Sequence, residues 1–448
     1  MTTTIQSSEA NGFAADAPSV SSRVTSASER WSSRTDTALL ASALFMQRFS
    51  LPFPGGKAVS LSFLPVALIF GYQFAANRLL IQYDRLSWFL LLLLSSVFTF
   101  LLHFDNSKAT SIGQFLLLYF FFTLIVPSPQ SQYKRTLKSF QCLIFIISCL
   151  AILQIPAQFV VDPHKLLMFF GIFPDALLPY KPSSNTMGII GATGRLVKSN
   201  GIFLDEASTL SQITAVAILI EIIEFRRPWY LIVLSTGFLV AYSGTGVAIL
   251  LVSFPVAFLV TRRVQLPVLL VCFFAAGLFT TGIIHLSAFT ERFGEFQNTS
   301  ASGFGRFVRP FWMVAEYFNT ASLSGVLFGN ALGHGFVSRE LYGAEGGSTW
   351  FNMVYEYGLI GTFVLACFLG TCFQRSWCPA PVIVGTVFHY LFTGNNLFDP
   401  SWLTIMVVLG TLRPRPIFQT SPVANWQRQS AMERANQDSV VLDPPSLT

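Results

Sequence analysis

Residues 194–208 read GRLVKSNGIFLDEAS, and from Ala207 the chain runs directly into an apolar segment. Two cations, Arg195 and Lys198, precede the acid pair Asp205 and Glu206. An acid pair at the start of an apolar helix is costly unless something uses it. Outward from this stretch, apolar runs of about 17–20 residues recur, each long enough to cross a bilayer. The 448-residue chain is 52% hydrophobic and 11% charged, against about 25% charged in a soluble domain. These features predict an all-α, polytopic integral membrane protein.

About twelve spans are expected from run length: 37–53, 59–77, 86–104, 110–127, 139–158, 208–225, 228–243, 244–261, 266–286, 350–373, 380–395 and 399–413. The first is the weakest because Arg48 lies within it. Residues 1–36 are rich in Ser, Thr and Ala and read as a disordered tail. The domain is then 37–413, and 414–448 is a second polar tail. Cations fall on alternate joints: Arg78 and Arg85; Lys134, Arg135 and Lys138; Arg226 and Arg227; Arg262 and Arg263; Arg375; Arg413 and Arg415. The short joints between them hold only Lys57 and Lys108. By the positive-inside rule, both termini are cytoplasmic in a bacterial inner membrane.

Two long loops, about 159–207 and 287–349, then fall outside, on the periplasmic face. Long loops in a compact protein are usually functional. Both carry cations against the local bias: Arg195 and Lys198 in the first; Arg292, Arg306 and Arg309 in the second. In the first loop, Asp205 and Ser208 can both cap the helix starting near Ala207. Glu206 sits where the helix dipole favours an anion. One cap needs one acid, so Glu206 is the candidate general base or orienter of a sugar hydroxyl. In the second loop, Arg306 and Arg309 are three apart and share a face if the segment is helical. Two guanidiniums so placed can clamp a diphosphate; the bland alternative is lipid headgroup contact. Phe311 and Trp312 suit a sugar face or the membrane interface. LFGNALGHG at 327–335 reads as a tight re-entrant turn, and His334 within it is a possible acid or base.

Other classes are excluded or weakened. The net charge of +6 is spread over the joints rather than gathered into an arm or helix, so no nucleic acid is expected. The six cysteines lie in apolar runs or at their cytoplasmic ends, with no disulfide or zinc spacing. The glycine-rich turn lacks a P-loop's Lys-Ser/Thr and no strand precedes it. His103, Asp105, His285 and His389, with Glu221 and Glu224, are the remaining polar groups in or beside spans. No ladder of acids crosses the bilayer, which weakens a proton-driven transporter.

The pattern resembles the Wzy-type polysaccharide polymerase and O-antigen ligase superfamily. Lys198, Gly201, Phe203, Glu206 and Ser208 match its first loop, with Ala207 where the family usually has Pro. Gly305, Arg306 and Trp312 match its second. Gly329, Gly333 and Gly335, then Glu356, Gly358 and Gly361, match its glycine-rich turn and Glu-x-Gly helix, and residues 242–246 (YSGTG) its central turn. The motifs are short and loose, and span about residues 190–370. The family's ligases carry His-Asn at the start of the Glu-x-Gly helix; here Gly346 to Thr349 stand there, which favours the polymerase branch.

The resemblance implies a membrane glycosyltransferase that polymerises lipid-linked oligosaccharide repeat units, with polyprenyl diphosphate as leaving group. Glu206 and Arg306 would be catalytic. Arg195, Lys198, Asp205, Ser208, Arg292, Arg309, Trp312 and His334 would bind substrate. No cofactor or metal is implied. The expected partners are the lipid-linked oligosaccharide, membrane lipids, and flippase, chain-length or export proteins. The alternatives are ligase-type transfer to another acceptor and a flippase for the lipid-linked unit.

Overall fold

The computed structural model describes residues 34–53, 57–104, 107, 109–161, 177, 197–262, 302–330, 332, 348–394 and 396–415. Helix dominates. Helix α1 covers 34–45. A hairpin of β1 (Ser50–Phe53) and β2 (Lys57–Ser60) leads to α2 (Phe63–Ala75). The strand β3 (Leu80–Ile81) pairs antiparallel with β4 (Leu124–Ile125), and between them run α3 (Tyr83–Leu102) and α4 (Ala109–Phe120). There follow α5 (Gln130–Ala157), α6 (Ala207–Ile220, widening to a π turn at Glu221–Phe225), α7 (Pro228–Val240) and α8 (Gly244–Thr261). Next come α9 (Ser302–Phe307), α10 (Arg309–Thr320) and α11 (Leu323–Phe328). The described part ends with α12 (Thr349–Gln374), α13 (Ala380–Phe392) and α14 (Pro400–Met406, with a π turn to Thr411).

Among the described residues, five helices are long and apolar enough to cross a membrane: α3, α5, α6 with its π turn, α8 and α12. Shorter apolar helices stand at Phe63–Ala75, Ala109–Thr123, Pro228–Val240, Ala380–Phe392 and Pro400–Thr411. Their outward faces are apolar, and polar side chains are buried within a largely apolar interior. Leu68, Leu94, Leu101, Leu153, Leu259 and Phe363 are exposed, whereas Arg85, Ser96, Thr99, Gln141, Ser148 and Gln154 are buried. Large exposed apolar faces with buried polar groups belong to a chain solvated by lipid, which leaves polar groups to pair internally. Only 28% of the α3 window is buried against 67% for α6, so α6 is the bundle's central helix. It packs against α5, α7, α8 and α13.

Two corrections to the expected layout follow. The first expected span, 37–53, stops being helical at residue 45. Gln47 and Arg48 end its apolar run, and Pro52 and Pro54 cannot continue a helix interior. Arg48 is buried rather than lipid-facing, and its Nη1 donates to the carbonyl of Ile202 at 2.8 Å. The second long loop is not structureless, since it holds α9, α10 and α11. The two short ribbons add strand to an otherwise helical chain. The expected ninth span, 266–286, lies outside the described residues, as do the tails 1–33 and 416–448.

The basic joints gather at one end of the bundle. Asp36 and Arg413 pair at 2.7 Å, almost fully buried, and Arg413 also donates to Gln132. Lys134 pairs with Glu224, Arg227 with Glu221, and Arg375 with Asp84. Arg85 is buried beside them and donates to three carbonyls, of Phe122, Thr411 and Cys372, that helix and turn ends leave unpaired. The opposite end is closed by other contacts: Phe45 on Phe203, Ser62 with Ser401, and Thr349 with Gly394. Residues 36 and 413, near the two ends of the described chain, therefore meet at the basic end, and the start of α6 lies at the other.

Candidate functional site

The segment from Val197 to Glu206 is held to α5 by two glutamines. Gln158 makes a two-way bridge to the backbone of Val197, at 2.9 and 2.8 Å. The Gln154 Oε1 accepts from the N–H groups of Asn200 and Gly201, each at 3.1 Å, and from the Ser199 hydroxyl. Its Nε2 donates to Asn200 Oδ1 at 3.0 Å, and the Asn200 Nδ2 closes the turn on the Leu204 carbonyl. Gly201 has φ +69°, and a Cβ there would lie 2.6 Å from an Ile147 methyl, so glycine is required. Ile202 follows at φ +71°. A β-branched residue in that region costs of order 1–3 kcal/mol and persists only where its surroundings over-determine it. Gln154 and Arg48 supply that determination.

This turn delivers Glu206 as the N-cap residue of α6, with extended φ −136° and no side-chain cap. The Glu206 Oε2 accepts from Ser208 Oγ at 2.6 Å and from Arg306 Nη2 at 3.1 Å. The side chains are 36% and 22% exposed, so the pair is open to one side. The two residues expected to be catalytic, one in each long loop, are thus in direct contact. The expectation that Asp205 and Ser208 cap α6 is corrected. Ser208 spends its hydroxyl on Glu206, and Asp205 points its Oδ1 into a buried position where it has no hydrogen-bond partner among the described residues.

Arg306 and Arg309 do not share one helix, because Val308 breaks the run between α9 and α10. Arg309 instead lies over the Phe304 ring, 5.5 Å from its centre, and Trp312 meets the same ring edge-on at 5.1 Å. Trp312 and Phe311 are exposed on α10, while Pro310, Met313 and Tyr317 are buried. Phe311 packs on Trp350 at the start of α12. The helix is therefore amphipathic, with aromatic side chains on its outer face and the Arg306 segment at its head. Lys198 is partly exposed within the pinned segment. Arg195, Arg292 and His334 lie outside the described residues.

The glycine-rich turn docks on α12. Gly329, at φ +84°, packs its Cα face against the Glu356 carbonyl, and Gly358, at φ +68°, breaks α12 where it meets Gly329. A Cβ on Gly329 would sit 2.1 Å from that carbonyl oxygen. The central turn at 242–246 locks to α6, with the Ser211 hydroxyl accepting from Gly246 N–H at 2.9 Å. Gly201, Gly246, Gly329 and Gly358 each stand where another segment comes too close for a Cβ.

Three residues near the pair were not among those expected to bind or react. Arg48 and Asp399 both act electrostatically on Asp205, and His389 lies within Coulombic reach of Arg306. Asp399 caps α14 through Ser401 N–H at 2.9 Å. His389 is buried with its ring against Trp402. A polar residue inside an apolar run was the available signal for Arg48 and His389; Asp399 before Pro400 reads only as a cap. Burial holds the Asp205 carboxyl well above the usual carboxylate range; Asp399 and Glu206 push it further up, and Arg48 opposes them. Among the described residues, no group of three or more His, Cys, Asp or Glu side chains is arranged to hold a metal ion. No family model matches the chain, and no curated protein matches it.

Proposed function

We propose that this protein joins lipid-linked oligosaccharide units into a polysaccharide on the outer face of a bacterial inner membrane. The Glu206–Arg306 contact carries this reading. It brings a carboxylate and a guanidinium from two separated segments to the bundle end opposite the basic joints, beside an amphipathic helix with exposed aromatics. By the positive-inside rule the basic end faces the cytoplasm and the pair faces out.

An acceptor hydroxyl attacks the anomeric carbon of the donor glycan. The new C–O bond forms as the bond to polyprenyl diphosphate breaks, and the diphosphate leaves with the electron pair. Arg306 neutralises the charge that develops on it, a stabilisation that grows toward the transition state. Arg309 and Lys198 add positive charge at the same end. As Arg306 engages the diphosphate, Glu206 is released from it and orients the acceptor hydroxyl. Trp312 and Phe311, exposed on α10, suit the boundary where sugar meets lipid, as interfacial aromatics do.

The test is Arg306→Ala in cells otherwise lacking the gene. Polymer should vanish while single units accumulate on lipid at the outer face. Full-length polymer from that strain would overturn the assignment. Units trapped on the inner face would indicate a flippase.

A further inference from the structure

We infer that Asp205, not Glu206, is the base that takes the proton from the attacking hydroxyl. This rests on the polymerase reading above and names a role within it. The two carboxylates are neighbours in sequence and differently committed. Glu206 Oε2 already accepts two hydrogen bonds, one of them from a guanidinium. Those two donors hold that oxygen in place and direct it at Arg306. Asp205 sits one residue earlier, with Oδ1 buried and unpartnered among the described residues. A carboxylate oxygen in that state lacks the hydrogen bonds that would stabilise its charge, and it gains most by accepting a proton.

The surroundings act in the same direction. The charged groups facing Asp205 are Asp399 at the head of α14, Arg48 from the turn after α1, and Glu206 on its own chain, with Arg306 beyond Glu206. Burial raises Asp399 too, against the opposing backbone N–H groups of Ser401 and Trp402; its Oδ1 is committed to capping α14 through Ser401 N–H at 2.9 Å, whereas Asp205 Oδ1 has no hydrogen-bond partner among the described residues. Arg48 is partly spent on the Ile202 carbonyl. The two adjacent acids differ in their bonding: Glu206 Oε2 is engaged by Ser208 and Arg306, and Asp205 Oδ1 has no hydrogen-bond partner among the described residues. Here Glu206 positions Arg306, and Asp205 handles the proton. The hydroxyl O–H bond breaks, its proton passes to the Asp205 carboxylate, and the oxygen bonds to the anomeric carbon. Asp205 then gives the proton to solvent.

The test uses full-length protein in lipid nanodiscs and lipid-linked units extracted from the Arg306→Ala strain, with polymer formation followed from pH 5 to 8. Asp205→Asn should cut the turnover rate about 10²–10⁴-fold, the usual worth of a positioned base, with little change in KM. Asp205→Glu should recover part of the rate. Removing the like charge in Asp399→Asn should move the acid limb of the profile to lower pH, and Arg48→Met should move it higher. Those limb shifts decide the matter even if Asp205→Asn fails to fold. Wild-type turnover in folded Asp205→Asn, or limbs that neither neighbour moves, overturns the inference and leaves the polymerase reading intact. If wild-type protein forms no polymer from these units, the polymerase reading itself falls.

Discussion

Glu206 and Arg306 are 100 residues apart in the chain and 3.1 Å apart in space, joined by a salt bridge open on one side. The Ser208 hydroxyl on the same carboxylate oxygen fixes its direction. The pair's partial exposure decides how to regard it. A solvent-screened ion pair contributes only about 0–1 kcal/mol to stability, so holding the fold together is not a sufficient reason for it.

That distinction is measurable by charge reversal. The double variant Glu206→Arg with Arg306→Glu keeps an attractive pair, and each single variant changes stability by about 1 kcal/mol or less. The double variant should melt close to wild type yet make no polymer, because a diphosphate site needs its cation where Arg306 stands. Recovery of polymer in the double variant, monitored with melting temperature, would assign the pair a purely structural role.

Much of this was legible from residue pattern, and the gaps have physical reasons. Glu206 and Arg306 stand out because charge is scarce in such a chain, but contact across 100 residues leaves no local trace. The expected first span ran past residue 45 because the hairpin strands are apolar too, and hydropathy does not separate a short strand from a helix end. Helices α9 and α11 are six residues each, shorter than any window in which helical periodicity can be read. Asp205 looked like a cap because acids usually are caps at that position; only the fold shows the cap to be unused.

Gln154 is the residue on which the first half of the site hangs. Its Oε1 serves two backbone N–H groups and a hydroxyl, all buried. Gln154→Leu keeps the volume and strands those donors, at about 1–3 kcal/mol for each one left unsatisfied. The expected result is a lower melting temperature and protease cleavage near residue 200, with polymer lost. Gln154→Glu keeps the acceptor and should be milder.

The docking of Gly329 on Gly358 predicts a sharper effect than a glycine change usually gives. Both have positive φ, and each would drive a Cβ into the other segment's backbone, at 2.1 and 2.4 Å. Backbone cannot yield as a side-chain tip can. Gly329→Ala and Gly358→Ala should each cost at least the roughly 1–3 kcal/mol of a strained conformation. Gly71→Ala, where a Cβ meets nothing within 4 Å, is the control and should leave melting unchanged.

At the opposite end, Asp36 and Arg413 form a pair only 3% and 1% exposed. Removing one partner leaves a buried charge uncompensated, which costs about 3–5 kcal/mol. Asp36→Ala should therefore destabilise the fold far more than Arg306→Ala, although both remove one half of a salt bridge. Arg413→Met combined with Asp36→Leu should regain much of the loss, since an apolar pair of similar volume is often neutral there. Thermal unfolding of the four proteins checks the ordering.

Asp205 also predicts how stability depends on pH. Its folded-state proton affinity is raised, chiefly by burial, above that of an unfolded aspartate, whose pKa is about 3.9. Between those two values the folded protein binds more protons than the unfolded chain, so stability falls as pH rises. The contribution is complete below the unfolded pKa and lost as pH passes the folded one. Asp205→Asn removes that loss. Relative to wild type, its melting temperature should rise as pH increases toward neutrality, while its polymerising turnover falls. A buried carboxylate serving only the fold would be replaced by asparagine with no such opposition between stability and turnover. Melting curves taken across the same pH range as the activity profile will show whether the two move apart.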